Sequence, residues 1–221
     1  MENIFRDNIK AILFDMDGVV IDSEKLYSQS EEKLLSKYGV KFDDSDWLKI
    51  KGCTEKQFYD FVYSKFNISI QREELMSQGK EFLKNIFTNH LQYMAGFNAL
   101  YLDLKEKYKL ALVTSTGPEL VDHVNGLLSI NKKFDIVINS SHTKQHKPNP
   151  EPYLTAMNYL NVQPSECLVI EDSIQGIKAG KAAGCYVIAI EGSLDKKYLE
   201  DANYIISNFD ELKKIFNKEL T

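Results

Sequence analysis

Three cysteines, Cys53, Cys167 and Cys185, are all that the 221 residues contain. They are odd in number and scattered, which speaks against a disulfide framework and for a reducing compartment. Long apolar runs are missing as well. No stretch approaches the ~18 apolar residues of a membrane span, and the opening MENIFRDNIK lacks the apolar core of a secretory signal. Positive charge is not in excess: the formal net charge is −5. That argues against nucleic acid and against anionic membrane surfaces as partners. Internal repeats and low-complexity segments are also lacking. These absences lead to the expectation of a soluble, cytoplasmic chain, for which a monomer is favoured although no feature of the sequence reports oligomeric state.

Hydrophobic residues are plentiful, at 43%, enough for a sizeable core and too many for a disordered chain. They recur in short runs at residues 11–14, 110–113, 136–138, 168–170, 186–190 and 204–206. Such uninterrupted runs are what strands buried on both faces of a parallel sheet require. Amphipathic segments at 97–107, 118–128, 150–160 and 173–183 separate the later runs. Strand alternating with helix predicts an α/β fold, a doubly wound parallel sheet.

The rhythm breaks once. Nearly a hundred residues lie between the first and second runs, far more than one crossover helix needs. Apolar residues inside that gap recur at helical spacing, first around Leu26, Tyr27, Leu34 and Leu35 and again around Leu75, Phe82 and Ile86. Residues 54–65 suit a third helix. The expected organisation is an α/β core of residues 1–21 and 91–221 with an all-helical insert of residues 22–90. The insert leaves near Ile21 and returns near Tyr93-Met94, which suits either a hinged lid or a static layer packed on the sheet.

In an open parallel sheet, ligands bind beyond the carboxyl ends of the strands. The residues just past each apolar run are therefore informative. Asp15 and Asp17 come after the first, in FDMDGVV. Thr114, Ser115 and Thr116 come after the second. Lys147, in HKPNPEPY, comes after the third. Glu171, Asp172 and Ser173 come after the fourth. Each piece has an ordinary explanation. Two aspartates can simply open a polar turn, Thr-Ser-Thr can be a turn or a cap, a lysine before proline is usually solvated, and Asp172 or Ser173 can cap the next helix. Together they form a chemical set. Crowded carboxylates repel, by about 4 kcal/mol for two at 4 Å and an effective dielectric of 20. A divalent cation removes that cost and prefers oxygen ligands, which points to Mg²⁺. Lysine, hydroxyls and backbone N–H groups beside a metal suit a phosphoryl group.

FDMDGVV, LVTST, HKPNPEPY and VIEDSIQGIKAGKAAG resemble the four motifs of the haloacid dehalogenase-like superfamily, and the resemblance extends over the whole chain, including the helical insert after the first motif. It implies Asp15 as nucleophile, Asp17 as general acid and base, Thr114 as a phosphoryl-oxygen donor and Lys147 as its counter-charge. It further implies Mg²⁺ held by Asp15, Asp172 and the Asp17 backbone carbonyl, with Glu171 either a ligand or one step behind. Gly18 lets backbone N–H groups approach the phosphate, with Ser115 beside it. Lys51, in the insert loop IKGCT, is a candidate substrate contact.

The function implied is a Mg²⁺-dependent phosphatase acting on a small phosphorylated metabolite, such as a sugar or polyol phosphate, through an aspartyl-phosphate. The alternative is a phosphomutase similar to β-phosphoglucomutase, and a third reading is an inactive fold retained for binding. A mutase must hold a second phosphate on the insert side. Glu55 stands where the resembling mutase carries an arginine, and Tyr27 where it carries a histidine; both favour hydrolysis. A one-residue slip would instead offer Lys56 as the missing cation. His142 and His146 flank the third motif and read as bystanders; His90 and His123 read as structural or exposed.

Overall fold

The computed structural model describes residues 8–50, 53–192 and 194–218. Six strands, β1 (Ala11–Phe14), β2 (Lys109–Val113), β3 (Ile136–Ile138), β4 (Cys167–Glu171), β5 (Tyr186–Ile190) and β6 (Tyr204–Ile206), match the apolar runs closely. They form one sheet in the order β3-β2-β1-β4-β5-β6, with every pair parallel. The chain starts at the centre, lays β2 and β3 to one side, and crosses back to place β4 on the other. The topological switch therefore falls between β1 and β4, where open α/β sheets put their ligands.

The pleat divides the core. Ile12 and Phe14 of β1 face one apolar layer, with Leu110, Leu112, Leu168 and Ile170. Ala11 and Leu13 face the other, with Val113, Val169, Val187 and Tyr153. Because both faces are covered, β1 is fully apolar, which is why no alternation is visible in its sequence.

The crossover helices are α5 (Phe97–Leu104), α6 (Pro118–Leu128), α7 (Glu151–Leu160) and α8 (Ile174–Ala182). The first stops three residues earlier than its pattern suggests, giving way to a turn in which the Lys107 and Tyr108 N–H groups both donate to the Leu104 carbonyl. Between β1 and α5 stand α1 (Glu24–Ser36), α2 (Asp44–Ile50), α3 (Glu55–Lys65) and α4 (Arg72–His90). They build an apolar cluster of their own around Leu34, Phe42, Phe58, Val62 and Leu75. Phe42 is its aromatic centre, edge-on to Trp47 and Phe61 and stacked on Phe66. Thr54 starts α3 with a capping box, its hydroxyl accepting from the Gln57 N–H while the Gln57 side chain accepts from the Thr54 N–H.

Two helices lie outside the sequence expectation. The seven residues of α2 are too few to show a period. The last helix, α9 (Phe209–Lys218), comes after β6 and buries Phe209, Leu212 and Phe216 against the sheet, a spacing that was there to be read. The two strands of chain that join the helical insert to the core are bonded side by side: Ile21 bridges Tyr93, the Met94 N–H donates to the Val20 carbonyl and the Asp22 N–H to the Gln92 carbonyl. Among the described residues no helix is long and apolar enough to cross a membrane, and all three cysteines are free.

Candidate active site

Ladder bonds that run on past the strands position the first two motifs. The Asp15 N–H donates to the Ile170 carbonyl and the Thr114 N–H to the Ile138 carbonyl, both at 2.9 Å. Since β2, β1 and β4 are neighbours, Thr114, Asp15 and Glu171 emerge side by side. Gly18 then turns the chain with φ of 77°. A Cβ there would collide with the Asp172 carboxylate, so both the backbone conformation and the close approach of the fourth motif require glycine.

Lys147 ties the motifs together. Its Nζ donates to Asp15 Oδ1 at 2.5 Å, to Glu171 Oε1 at 2.6 Å and to the Val113 carbonyl at 2.9 Å. All three ammonium protons are thereby used, and the side chain is only 2% exposed. The solvated-lysine explanation is overturned: this ammonium is a buried bridge between two carboxylates. Burial works against its charge, but the two acids outweigh burial and hold the ammonium above its ordinary value. Burial likewise opposes the Glu171 charge, and Lys147 with the surrounding donors outweighs it, so Glu171 lies below the usual glutamate range.

Glu171 is saturated with partners. Besides Lys147, Oε1 accepts from the Tyr153 hydroxyl at 2.8 Å, and Oε2 accepts from the Asp172 N–H, the Ser173 N–H and the Ser173 hydroxyl. Ser173 also caps α8, accepting from the Gly176 N–H at 3.0 Å, which settles which of the two candidates is the cap. Gly176 has to be small because a Cβ would run into the Glu171 carboxylate.

Asp17 is dressed differently. Ser23 donates to its Oδ1 at 2.7 Å and Thr116 to its Oδ2 at 2.8 Å, with the Thr114 hydroxyl at 3.5 Å. Burial raises its carboxyl above the ordinary aspartate value, against these donors. Sequence reasoning picked out neither Ser23 nor Thr116 as an Asp17 partner, and it did not single out Tyr153 or Glu24. The first-turn position of Glu24 in α1 was a visible sign. Its carboxylate borders the cluster: a Cβ built on Gly192 would lie 3.7 Å from Glu24 Oε2 and 3.9 Å from Asp172 Oδ2.

Asp15, Glu171 and Asp172 each offer a carboxylate oxygen, and these atoms lie within 4.8 Å of one another. Burial pushes Asp15 up to about 8 against the pull of Lys147, with Glu171 and Asp17 adding to the rise. Hard oxygen donors that crowd at such cost fit a divalent cation such as Mg²⁺. Asp15 and Asp172 could hold it, whereas both Glu171 oxygens are already committed to protein donors. The Asp17 carboxylate is already occupied by the Ser23 and Thr116 hydroxyls.

Asp15, Asp17 and Asp172 form the floor of a cavity of about 880 Å³ that runs up between the sheet and the helical insert. Ser115 lines it beside the floor, and Tyr27 and Glu55 line its upper part. The Tyr27 hydroxyl lies 3.5 Å from Thr116 Oγ1. Glu55 faces the cavity but is neutralised in part by Lys80, 3.4 Å away. Lys56 is 81% exposed and paired with Asp60; it does not line the cavity, so the slipped alignment finds no support. His142 accepts from the Asn139 N–H through Nδ1, and neither it nor His146 borders the cavity. Lys51 lies outside the described residues. On the far side α4 rests on α6: Lys84 pairs with Glu119 at 2.6 Å, and the Thr88 hydroxyl meets His123 Nε2 at 3.1 Å.

A parallel α/β sheet with a helical insert, and a buried acidic cluster at its switch point, define a hydrolase of the phosphoryl-transfer type. Haloacid dehalogenase-like hydrolases match residues 12–190, and the chain belongs to that family. A phosphorylated carbohydrates phosphatase of Thermotoga maritima is 32% identical over 177 residues, 80% of this chain and 82% of the relative. The validoxylamine A 7'-phosphate phosphatase of Streptomyces hygroscopicus subsp. limoneus is 28% identical over 206 residues, 92% and 96% of the two chains. The crystal structure of a β-phosphoglucomutase from Clostridium difficile aligns with a TM-score of 0.77 over 96% of this chain and 99% of that one. At 24% identity this is a likeness of fold.

Proposed function

We propose that the protein is a cytoplasmic, Mg²⁺-dependent phosphatase of small phosphorylated metabolites, of the sugar or polyol phosphate kind, working through an aspartyl-phosphate. The observation that carries this reading is the convergence of Asp15, Glu171 and Asp172 within 4.8 Å with Lys147 bridging two of them. The relatives' names, which specify phosphorylated carbohydrates and a 7'-phosphate, support the substrate class.

Asp15 attacks phosphorus through a carboxylate oxygen, and the bond to the leaving oxygen breaks. Asp17, whose raised carboxyl holds a proton readily, gives that proton to the leaving oxygen. A water then attacks the phosphorus of the acyl phosphate and passes its proton back to Asp17, and the bond to Asp15 breaks to release inorganic phosphate. Ser23 and Thr116 hold Asp17 in place for both transfers. Thr114 and Lys147 meet the charge on the transferring group. A divalent cation held by Asp15 and Asp172 would supply charge neutralisation, so that Asp15 is ionised beside a phosphate dianion. The insert of residues 22–90 gates the site, turning about the paired segments at Ile21–Tyr93 to admit water between the two steps.

Removal of metal tests the cluster: EDTA is expected to lower activity by about a hundredfold or more, with recovery on adding Mg²⁺, and full activity in metal-free buffer contradicts the assignment. Product analysis tests the reaction. With β-glucose 1-phosphate and a trace of bisphosphate primer, inorganic phosphate is the expected product; steady glucose 6-phosphate with little free phosphate makes the protein a mutase instead.

A further inference from the structure

Away from the phosphate end, the cavity wall is acidic. Glu31, Asp44, Glu55, Glu119 and Asp195 line it against three lysines, Lys80, Lys84 and Lys197. Each of those lysines is already engaged. Lys80 lies 3.4 Å from Glu55 and 3.6 Å from Glu119, Lys84 lies 2.6 Å from Glu119, and Lys197 lies 3.3 Å from Asp195. Among the described residues the wall has no cation left over for a second anion.

Glu31 is distinct among these acids. It sits one helical turn beyond Tyr27 on α1, so both point from the insert into the cavity. It is half-buried, unlike the exposed Asp44 and Glu119, and it makes no hydrogen bond or ion pair with a described residue. Its neighbours are the hydroxyls and thiol of Tyr27, Tyr59 and Cys53, whose ionisation its charge opposes. Burial pushes its own carboxyl upward, with no cation among the described residues to pull it back. Trp47 and Phe58 complete the wall with apolar rings, a surface for a carbon skeleton. A carboxyl poised over such a surface, and stripped of water when substrate fills the cavity, requires donors from the substrate.

We propose that Glu31 is the specificity-determining residue of the leaving-group subsite, selecting phosphate monoesters whose far end carries hydrogen-bond donors, hydroxyl or ammonium, and rejecting those that end in an acid. This rests on the phosphatase reading for the location of the phosphate. A hydroxyl or an ammonium donates to Glu31 directly. A carboxylate or second phosphate has no donor to offer, meets a wall where acids outnumber lysines among the described residues, and must share a proton with Glu31 to approach it.

The test uses three six-carbon phosphates of similar length: glucitol 6-phosphate, glucosamine 6-phosphate and 6-phosphogluconate. Their affinities are measured by calorimetry with the full chain carrying Asp15→Asn in Mg²⁺, so that binding is read without turnover. Phosphate release from the same compounds is monitored in parallel with the unmodified protein. The first two are expected to bind about tenfold or more tighter than 6-phosphogluconate. Adding Glu31→Gln is expected to shrink that ratio to about threefold or less, since an amide both donates and accepts, and Glu31→Lys is expected to invert it. The order of the first two identifies the tail as hydroxyl or ammonium. Equal affinity for all three, no binding of any, or a ratio unmoved by Glu31→Gln overturns the proposal. The expected order of binding without phosphate release from the unmodified protein overturns the hydrolytic reading and leaves the subsite assignment standing.

Discussion

Asp15→Asn is expected to lower turnover by about a thousandfold or more while the protein remains folded. The amide keeps the planar shape and can still accept from Lys147, but it cannot form an acyl phosphate. Stability should hold because Asp15 is the strained partner in the cluster: burial, Glu171 and Asp17 all push its carboxyl up, to about 8. Replacing it with a neutral group removes that repulsion, and Lys147 keeps its bond to Glu171. The check is steady-state phosphate release together with a thermal melt. Asp15→Ala prepared in parallel identifies contaminating activity, which is equal in both variants. Turnover within about tenfold of the unmodified protein, in a preparation free of such background, ends the nucleophile assignment.

The sheet was legible because it is buried on both faces. Apolar runs such as residues 110–113 carry no polar residue to hide them, and a helix of the same composition would have needed more length. The residues at the strand tips were legible for the opposite reason, since Asp15, Thr114 and Asp172 follow closely on apolar segments, whereas Lys147 stands in a polar loop and was legible only through the motif HKPNPEPY. The helpers were not. Ser23 and Thr116 are among the commonest residues of turns and caps, and only the chain reversal at Gly18 and the stacking of β2 beside β1 bring both hydroxyls onto Asp17. Tyr153 reads as one more apolar contact of α7 until its hydroxyl is found on Glu171. Glu55 illustrates the limit from the other side. Its place at the cavity wall could be read by position, but the Lys80 that offsets it is 25 residues away on another helix, and no periodicity announces such a pairing. Glu31, which pairs with no cation among the described residues, stands beside Glu32 and Lys33 in a run that reads as a solvated helix face.

Lys147→Met is expected to damage stability and activity together. Methionine preserves most of the stem's packing against the Tyr153 ring, above which the ammonium now lies at 5.0 Å, but it removes the only cation bonded to Glu171 among the described residues. That glutamate is 0% exposed and retains only hydroxyl and backbone donors. Removing one partner of a buried pair leaves a charge that water cannot reach, at a cost of about 3–5 kcal/mol. Urea denaturation in EDTA measures this without a cation to mask the loss. Turnover with Mg²⁺ is expected to fall by about a hundredfold or more, since the charge on the transferring phosphoryl group loses its fixed counter-charge. A second substitution separates the two effects. Glu171→Gln in the Lys147→Met background removes the stranded charge; its amide oxygen still accepts from Ser173 and its amide N–H donates to the Tyr153 hydroxyl, so it should restore most of the stability and none of the turnover. If Lys147→Met alone unfolds at the same urea concentration as the unmodified protein, the bridge contributes nothing to folding. If the double variant recovers activity along with stability, Lys147 serves only to keep Glu171 company, and the phosphoryl charge is met by something else in the site.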